Sequence, residues 1–143
     1  MYDTILFPTD GSDGTAAALE NALDVAESYD ATVHALYVAD TGQYSTVTTD
    51  EGTQDVLMKE GEDIVGHVAE RGRDRGVEVE DVVLQGDPYE TIRDYIEEYD
   101  VDLVVMGTHG RRGVERVLIG SLTEKVVRTA DVPVLTVPLA DPD

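Results

Sequence analysis

The 143-residue chain contains no cysteine and no tryptophan, a single phenylalanine, and only 10 Lys and Arg against 31 Asp and Glu. Without thiols there are no disulfides, thiolate zinc sites, iron–sulfur clusters or cysteine nucleophiles. The shortage of basic residues leaves a formal charge of −21 at pH 7. Duplex DNA and anionic membranes are therefore poor partners, because phosphate backbones and acidic lipid surfaces repel such a chain at long range. Long hydrophobic runs are missing as well. The amino terminus has neither the basic flank nor the apolar run of a signal peptide, and Leu103 to Met106 is far too short to cross a bilayer. Hydrophobic residues still make up 41% of the chain, and a domain of this length buries about 70% of the surface its unfolded form exposes. The expectation is one soluble, cytoplasmic domain spanning 1–143.

The acids are scattered through every segment instead of forming one block, and only Lys59 and Lys125 are lysines. The apolar residues include many Ala and Val. In molar salt the Debye length falls to about 3 Å, which screens the self-repulsion that would oppose folding. The composition resembles that of proteins from extreme halophiles, a solvent signature without functional content.

Apolar periodicity sets out the organisation. An apolar, β-branched run over 2–8 breaks at Asp10-Gly11-Ser12-Asp13-Gly14, after which Leu19, Ala22, Leu23 and Ala26 recur at helical spacing. A second strand is expected over 31–38, then a polar, aperiodic stretch over 40–50 that reads as a loose loop. A helix follows with Leu57, Gly61, Ile64 and Val68 on one stripe. The third strand is expected over 77–84, with Glu78 and Glu80 alternating against Val77 and Val79. Asp87 as cap, Pro88 at the first helical position and Glu90 three residues after the cap mark the next helix, whose expected stripe is Tyr89, Ile92, Ile96 and Tyr99. A nearly all-apolar run over 101–106 reads as a covered central strand. A glycine-rich loop over 107–120 leads to a second capping box, Ser121 and Glu124, before Leu122, Val126, Val127 and Ala130. The last strand, over 132–137, is interrupted by Pro133, which lacks a backbone donor and places it at an edge. Five strands alternating with four helices give an α/β fold: an open parallel sheet wound on both sides, with ligands bound beyond the carboxyl ends of the strands.

The chemistry concentrates in Met106-Gly107-Thr108-His109-Gly110-Arg111-Arg112-Gly113, continuing to Gly120-Ser121. Glycines let backbone amides approach a ligand, and the start of a helix adds partial positive charge, which together make a phosphate cradle. Arg111, Arg112 and Arg116 form the one conspicuous positive patch, although exposed arginines more often pair with neighbouring acids. No Walker lysine is present, and the dinucleotide fingerprint fails after the first strand, where only Gly11 and Gly14 stand. His34, His67 and His109 are not spaced as a metal-ligand pair. A triad of Ser12, Asp10 and His109 carries little weight, because a serine in a helix-start turn is far more often a cap.

The chain resembles the universal stress protein family from Ile5-Leu6-Phe7-Pro8-Thr9-Asp10-Gly11-Ser12 through Gly86-Asp87-Pro88 to Pro133-Val134-Leu135-Thr136-Val137-Pro138. Its sharpest element is the family's ATP-binding pattern of glycine, two residues, glycine, nine residues, glycine, then serine or threonine, met here by Gly107, Gly110, Gly120 and Ser121. The resemblance implies a Rossmann-like fold with strand order 3-2-1-4-5. It implies that Asp10 accepts from ribose hydroxyls and that Pro8, Thr9 and Val38 line the adenine slot. Gly107, Thr108 and His109 then belong to a loop in which Gly110, Arg111, Arg112 and Gly113, with Gly120, Ser121, Leu122 and Thr123, hold phosphates through main-chain amides and hydroxyls. It further implies ATP, or AMP or ADP with the same adenosine contacts, accompanied by Mg2+, and a homodimer through residues 132–138. The leading reading is a nucleotide-responsive regulatory domain with at most weak ATP hydrolysis and no assigned catalytic residue. The alternatives are a slow ATPase or nucleotidyl-transferring enzyme, and an interaction dimer that uses no nucleotide.

Overall fold

In the computed structural model, which describes residues 2–40, 51–108 and 120–138, the expected alternation is present. The chain runs β1 (Thr4–Pro8), α1 (Asp13–Tyr29), β2 (Thr32–Ala39), α2 (Glu51–Asp74), β3 (Val79–Gln85), α3 (Pro88–Glu98), β4 (Leu103–Gly107), α4 (Ser121–Thr129) and β5 (Val134–Val137). All strand pairings are parallel, in the order β3-β2-β1-β4-β5. The winding reverses between β1 and β4, whose exits stand side by side because Ile5 pairs with Leu103 and Leu6 with Val104. The helices that follow these two strands, α1 and α4, pack on opposite faces of the sheet, the arrangement at which ligand crevices form in folds of this kind.

Side chains that alternate along the strands feed two cores. Ile5, Phe7, Val33, Ala35 and Val105 pack under α1 and α2, while Leu6, Leu36, Val104 and Met106 pack under α3 and α4. The α1 stripe of Leu19, Ala22, Leu23 and Ala26 is buried as the spacing predicts. At the other end of the sheet Asp102 ties β1 to β4, its carboxylate accepting from the amides of Asp3 at 2.9 Å and Thr4 at 3.0 Å. Arg75, just after α2, donates to Asp24 at 2.5 Å and Glu27 at 2.9 Å on α1, and Arg71 pairs with Glu20. The bond from Arg75 holds the Glu27 carboxyl below its ordinary range. Scarce cations are thus spent joining the acidic faces of two helices.

Several expected boundaries move. β3 begins at Val79, because Val77 closes the preceding turn by donating its amide to the Gly72 carbonyl at 2.8 Å. β4 begins at Leu103 although Val101 is buried, and β5 begins at Val134, so Pro133 precedes the strand instead of interrupting it. The edge position holds, with β5 paired to β4. On α3 the capping aspartate is as expected, accepting from the Glu90 amide at 3.0 Å, but the buried pair is Ile92 and Tyr95 while Tyr99 is 48% exposed. Tyr95 turns inward because its phenol reaches His34. On α4 the buried residues are Thr123 and Val126, and Val127 faces out. The expected loop over 40–50 lies outside the described residues beyond Asp40.

His34 on β2 and Tyr95 on α3 share a hydrogen bond of 2.6 Å, Tyr99 stacks on Tyr95 at 4.3 Å, and Glu80 is the β3 residue paired with His34. Burial pulls the His34 imidazole below its usual 6.5, against the opposing pull of Glu80, and burial pushes the Tyr95 phenol up to about 12. The fold therefore favours neutral His34, and the unfolded chain takes the proton first. This contribution is complete above pH 6.5 and is lost as pH falls below it toward the lower folded value. Urea midpoints measured from pH 7.5 to 5.5 at constant salt should fall more steeply for the wild type than for His34→Gln; parallel slopes would remove His34 as the cause.

Candidate functional site

The site begins where β1 ends. The Thr9 amide donates to the Leu36 carbonyl at 2.9 Å, which carries the β1–β2 ladder one step beyond Pro8. The Thr9 hydroxyl is buried, donating to Thr15 Oγ1 at 3.1 Å and accepting from the Gly11 amide at 3.1 Å. Asp10 Oδ1 accepts from the Ser12 amide at 2.9 Å, a turn that Asp side chains favour because they mimic a backbone acceptor. Val38 stands two positions past the Pro8–Leu36 pair, on the face shared with Leu36 and Met106.

Ser12 occupies the cap position of α1 with extended backbone, φ −80° and ψ 168°, yet its side chain makes no capping bond and Oγ is buried without a partner. The Thr15 amide, which the serine hydroxyl would have capped, donates to the Ser12 carbonyl at 3.0 Å, and the Thr15 hydroxyl donates to the same oxygen at 2.8 Å. An ordinary capping serine costs about 1 kcal/mol when truncated, but an orphaned hydroxyl carries a desolvation penalty with nothing in return. Ser12→Ala should leave stability unchanged or raise it by up to about 1 kcal/mol in urea denaturation. A loss of that size would mean the hydroxyl caps in solution.

Across the crevice, β4 and α4 meet closely. Gly107 packs so tightly on the first turn of α1 that a Cβ there would lie 2.3 Å from the Gly14 carbonyl oxygen. The Thr108 amide donates to Val137 at 3.0 Å, and the Thr108 carbonyl accepts from the Gly120 amide at 2.6 Å. Thr123, 6% exposed, donates its hydroxyl to the Gly107 carbonyl at 2.9 Å. Gly120, and not Ser121, is the cap of α4, and Ser121 is the first helical residue. The second capping box is thereby corrected: the short bond to Thr108 draws Gly120 into the cap position, where a Cβ would already stand 3.2 Å from the Thr108 oxygen. The amides of Ser121, Leu122 and Thr123 belong to the first turn and find no acceptor among the described residues. Three unengaged donors at the positive end of a helix suit an anion.

Of the residues the sequence singles out, Pro8, Thr9 and Asp10 lie at the β1 exit, Val38 near the β2 exit, Gly107 and Thr108 at the β4 exit, and Gly120, Ser121, Leu122 and Thr123 at the start of α4. His109, Gly110, Arg111, Arg112, Gly113 and the arginine patch lie outside the described residues. The hydroxyl of Thr123, expected as a phosphate donor, is committed to the Gly107 carbonyl. Sequence reasoning missed Gly14 and Thr15, which join α1 to both strand exits; Gly14 stood in the sequence as part of a turn and of a failed dinucleotide fingerprint. Among the described residues no group of three His, Asp or Glu side chains could hold a metal ion, and no helix is long and apolar enough to cross a membrane.

An open parallel sheet wound on both sides defines a Rossmann-like α/β domain, a class in which ligands bind beyond the strand ends. Residues 1–138 match the universal stress protein family, and the chain belongs to it. The universal stress protein MJ0531 of Methanocaldococcus jannaschii is 36% identical over 140 residues, covering 96% of this chain and 82% of that protein. YxiE of Bacillus subtilis is 30% identical, covering 96% and 99%. The solved structure of MJ0577, also from Methanocaldococcus jannaschii, superposes with a TM-score of 0.89 at 30% identity and covers 99% of each chain. Two remoter structures share the fold. A universal stress protein in complex with cAMP has a TM-score of 0.76 at 23% identity, covering 97% and 99%. An Arabidopsis thaliana member with AMP bound has 0.74 at 19%, covering 96% and 92%.

Proposed function

We propose that this chain is an ATP-binding regulatory domain in which adenosine sits between the exits of β1 and β2 and the phosphates lie on the start of α4. The observation that carries the reading is the set of three unengaged amides at Ser121, Leu122 and Thr123 beside the β4 exit. The spacing of Gly107, Gly110, Gly120 and Ser121 supports it, as do the structural relatives that hold AMP and cAMP. In this reading Pro8, Thr9 and Val38 line the base, Asp10 takes the ribose hydroxyls, and Thr108, His109, Gly110, Arg111, Arg112 and Gly113 complete the phosphate loop. ADP and AMP keep the adenosine contacts and lose part of the phosphate ones. Mg2+ enters with the phosphates, since the described residues form no cage for it.

The reading extends to a cytoplasmic homodimer joined through residues 132–138, where β5 has its unpaired edge and Leu135 is 37% exposed. An apolar strand edge left open is an aggregation liability that a second copy removes. The acidic composition supports a protein that works in molar salt. No residue is assigned a catalytic task.

The test is to purify the protein in molar potassium chloride, denature it and identify released nucleotide by chromatography and mass. A stoichiometric adenine nucleotide is expected, with calorimetric uptake of ATP and magnesium by the emptied protein. Neither release nor uptake would leave an interaction dimer without nucleotide, and an ATP-to-ADP ratio falling on incubation would turn the reading toward a slow ATPase. Light scattering in the same buffer should give twice the chain's mass.

A further inference from the structure

We propose that the Thr123 hydroxyl is a positioning group for phosphate recognition, acting through the backbone at the strand exits and not itself touching the ligand; this rests on the nucleotide reading above. Its side chain is buried and donates to the Gly107 carbonyl at 2.9 Å. The neighbouring Thr108 carbonyl accepts from the Gly120 amide at 2.6 Å. Gly120 and Thr123, at the start of α4, therefore take up the carbonyl oxygens of the last residue of β4 and of the residue after it. A carbonyl oxygen left unpartnered at the rim of an anion site repels the ligand, and a buried one also carries a desolvation penalty. The same two bonds fix where the open amides of Ser121, Leu122 and Thr123 stand relative to the β1 exit, because Gly107 is itself seated on the Gly14 carbonyl.

Removing the hydroxyl frees the Gly107 oxygen and loosens α4 by one hydrogen bond, at the place where phosphates sit and away from the adenosine end. The affected ligands are those with phosphates. Thr123→Val keeps the side chain's shape and removes the donor, while Thr123→Ser keeps the donor.

Affinities for ATP and for adenosine would be measured by calorimetry in molar potassium chloride with magnesium, alongside the carbonyl carbon shift of Gly107 in the ligand-free protein. Thr123→Val should bind ATP about tenfold more weakly, the worth of one hydrogen bond, with adenosine changed less than twofold. The Gly107 carbonyl shift should move without ligand, and Thr123→Ser should restore both readouts. Equal losses for ATP and adenosine, unchanged ATP affinity, or a Gly107 carbon that does not move in the ligand-free protein would each overturn the proposal. If Thr123→Val fails to fold, Thr123→Ala serves the same comparison with less crowding. A wild type that binds neither ligand defeats the nucleotide reading itself, and a wild type that binds both while Thr123→Val matches it defeats only the positioning role.

Discussion

Gly107→Val should cost about 3 kcal/mol or more in equilibrium denaturation and abolish nucleotide uptake with it. The added Cβ alone would lie 2.3 Å from the Gly14 carbonyl oxygen and 2.9 Å from its carbon. Neither partner can yield cheaply, because one is the first turn of α1 and the other the last residue of a strand buried along its whole length. Overpacking a close-packed interior costs roughly 1–3 kcal/mol for added methylenes that side chains can move to admit, and backbone meeting backbone lies at the upper end or beyond. Gly107→Ala should come close to the same loss, since the collision is already complete at Cβ. Gly120→Ala provides the contrast. Its Cβ would be 3.2 Å from the Thr108 oxygen, and its φ of −59° suits any residue, so the loss should stay near 1 kcal/mol. Two glycines of one motif thus separate by function: binding lost at 107 reports the fold, whereas binding lost at 120 in a stable protein reports the site.

Phe7→Ala should cost about 3–5 kcal/mol. Phe7 is the chain's one phenylalanine and is 1% exposed, set between α1 and the sheet. The core cluster it belongs to is rich in small side chains, with Ala18, Ala22, Ala26, Ala35 and Ala39 among its members. An alanine cannot lean into a void as a longer side chain does, so the cavity remains and the cost falls toward the high end of the range. A domain with a few kcal/mol in hand loses most of its margin by this one change. The effect should depend on salt in its consequence and not in its size. With a charge of −21, self-repulsion grows as the Debye length lengthens from about 3 Å at 1 M toward 30 Å at 0.01 M. The variant should therefore be folded in molar potassium chloride and unfolded in dilute buffer, by circular dichroism. Equal stability of the wild type in both buffers would remove the salt argument, and a loss below 1 kcal/mol would show that the core closes around the gap.

The motif around Asp87 and Pro88 was legible because the cap and the first-turn proline are local events, settled within four residues, and the structure repeats them in detail. The stripe on α1 was legible for a similar reason, since it faces one broad apolar surface. On α3 the same reasoning took Tyr99 for a buried residue and passed over Tyr95. Amphipathic spacing alone does not say which tyrosine has a partner, and His34 lies 61 positions away in the chain. Ser12 and Ser121 misled in part: Ser12 does hold the cap position of the first helix but its hydroxyl makes no capping bond, and Gly120, one residue before Ser121, holds the cap position of the second.

The sequence by itself determined the alternation of strands and helices, the family through its glycine spacing and terminal motifs, and the absence of thiol chemistry, because these depend on residue identity and short-range order. Only the tertiary structure decided how the site's groups are spent. Gly107 is required by a carbonyl from α1, the Thr123 hydroxyl is taken by β4, and three amides of α4 meet no acceptor among the described residues. Those assignments follow from which strand exits lie side by side, and parallel pairing across about a hundred residues is a matter of packing that no local pattern records.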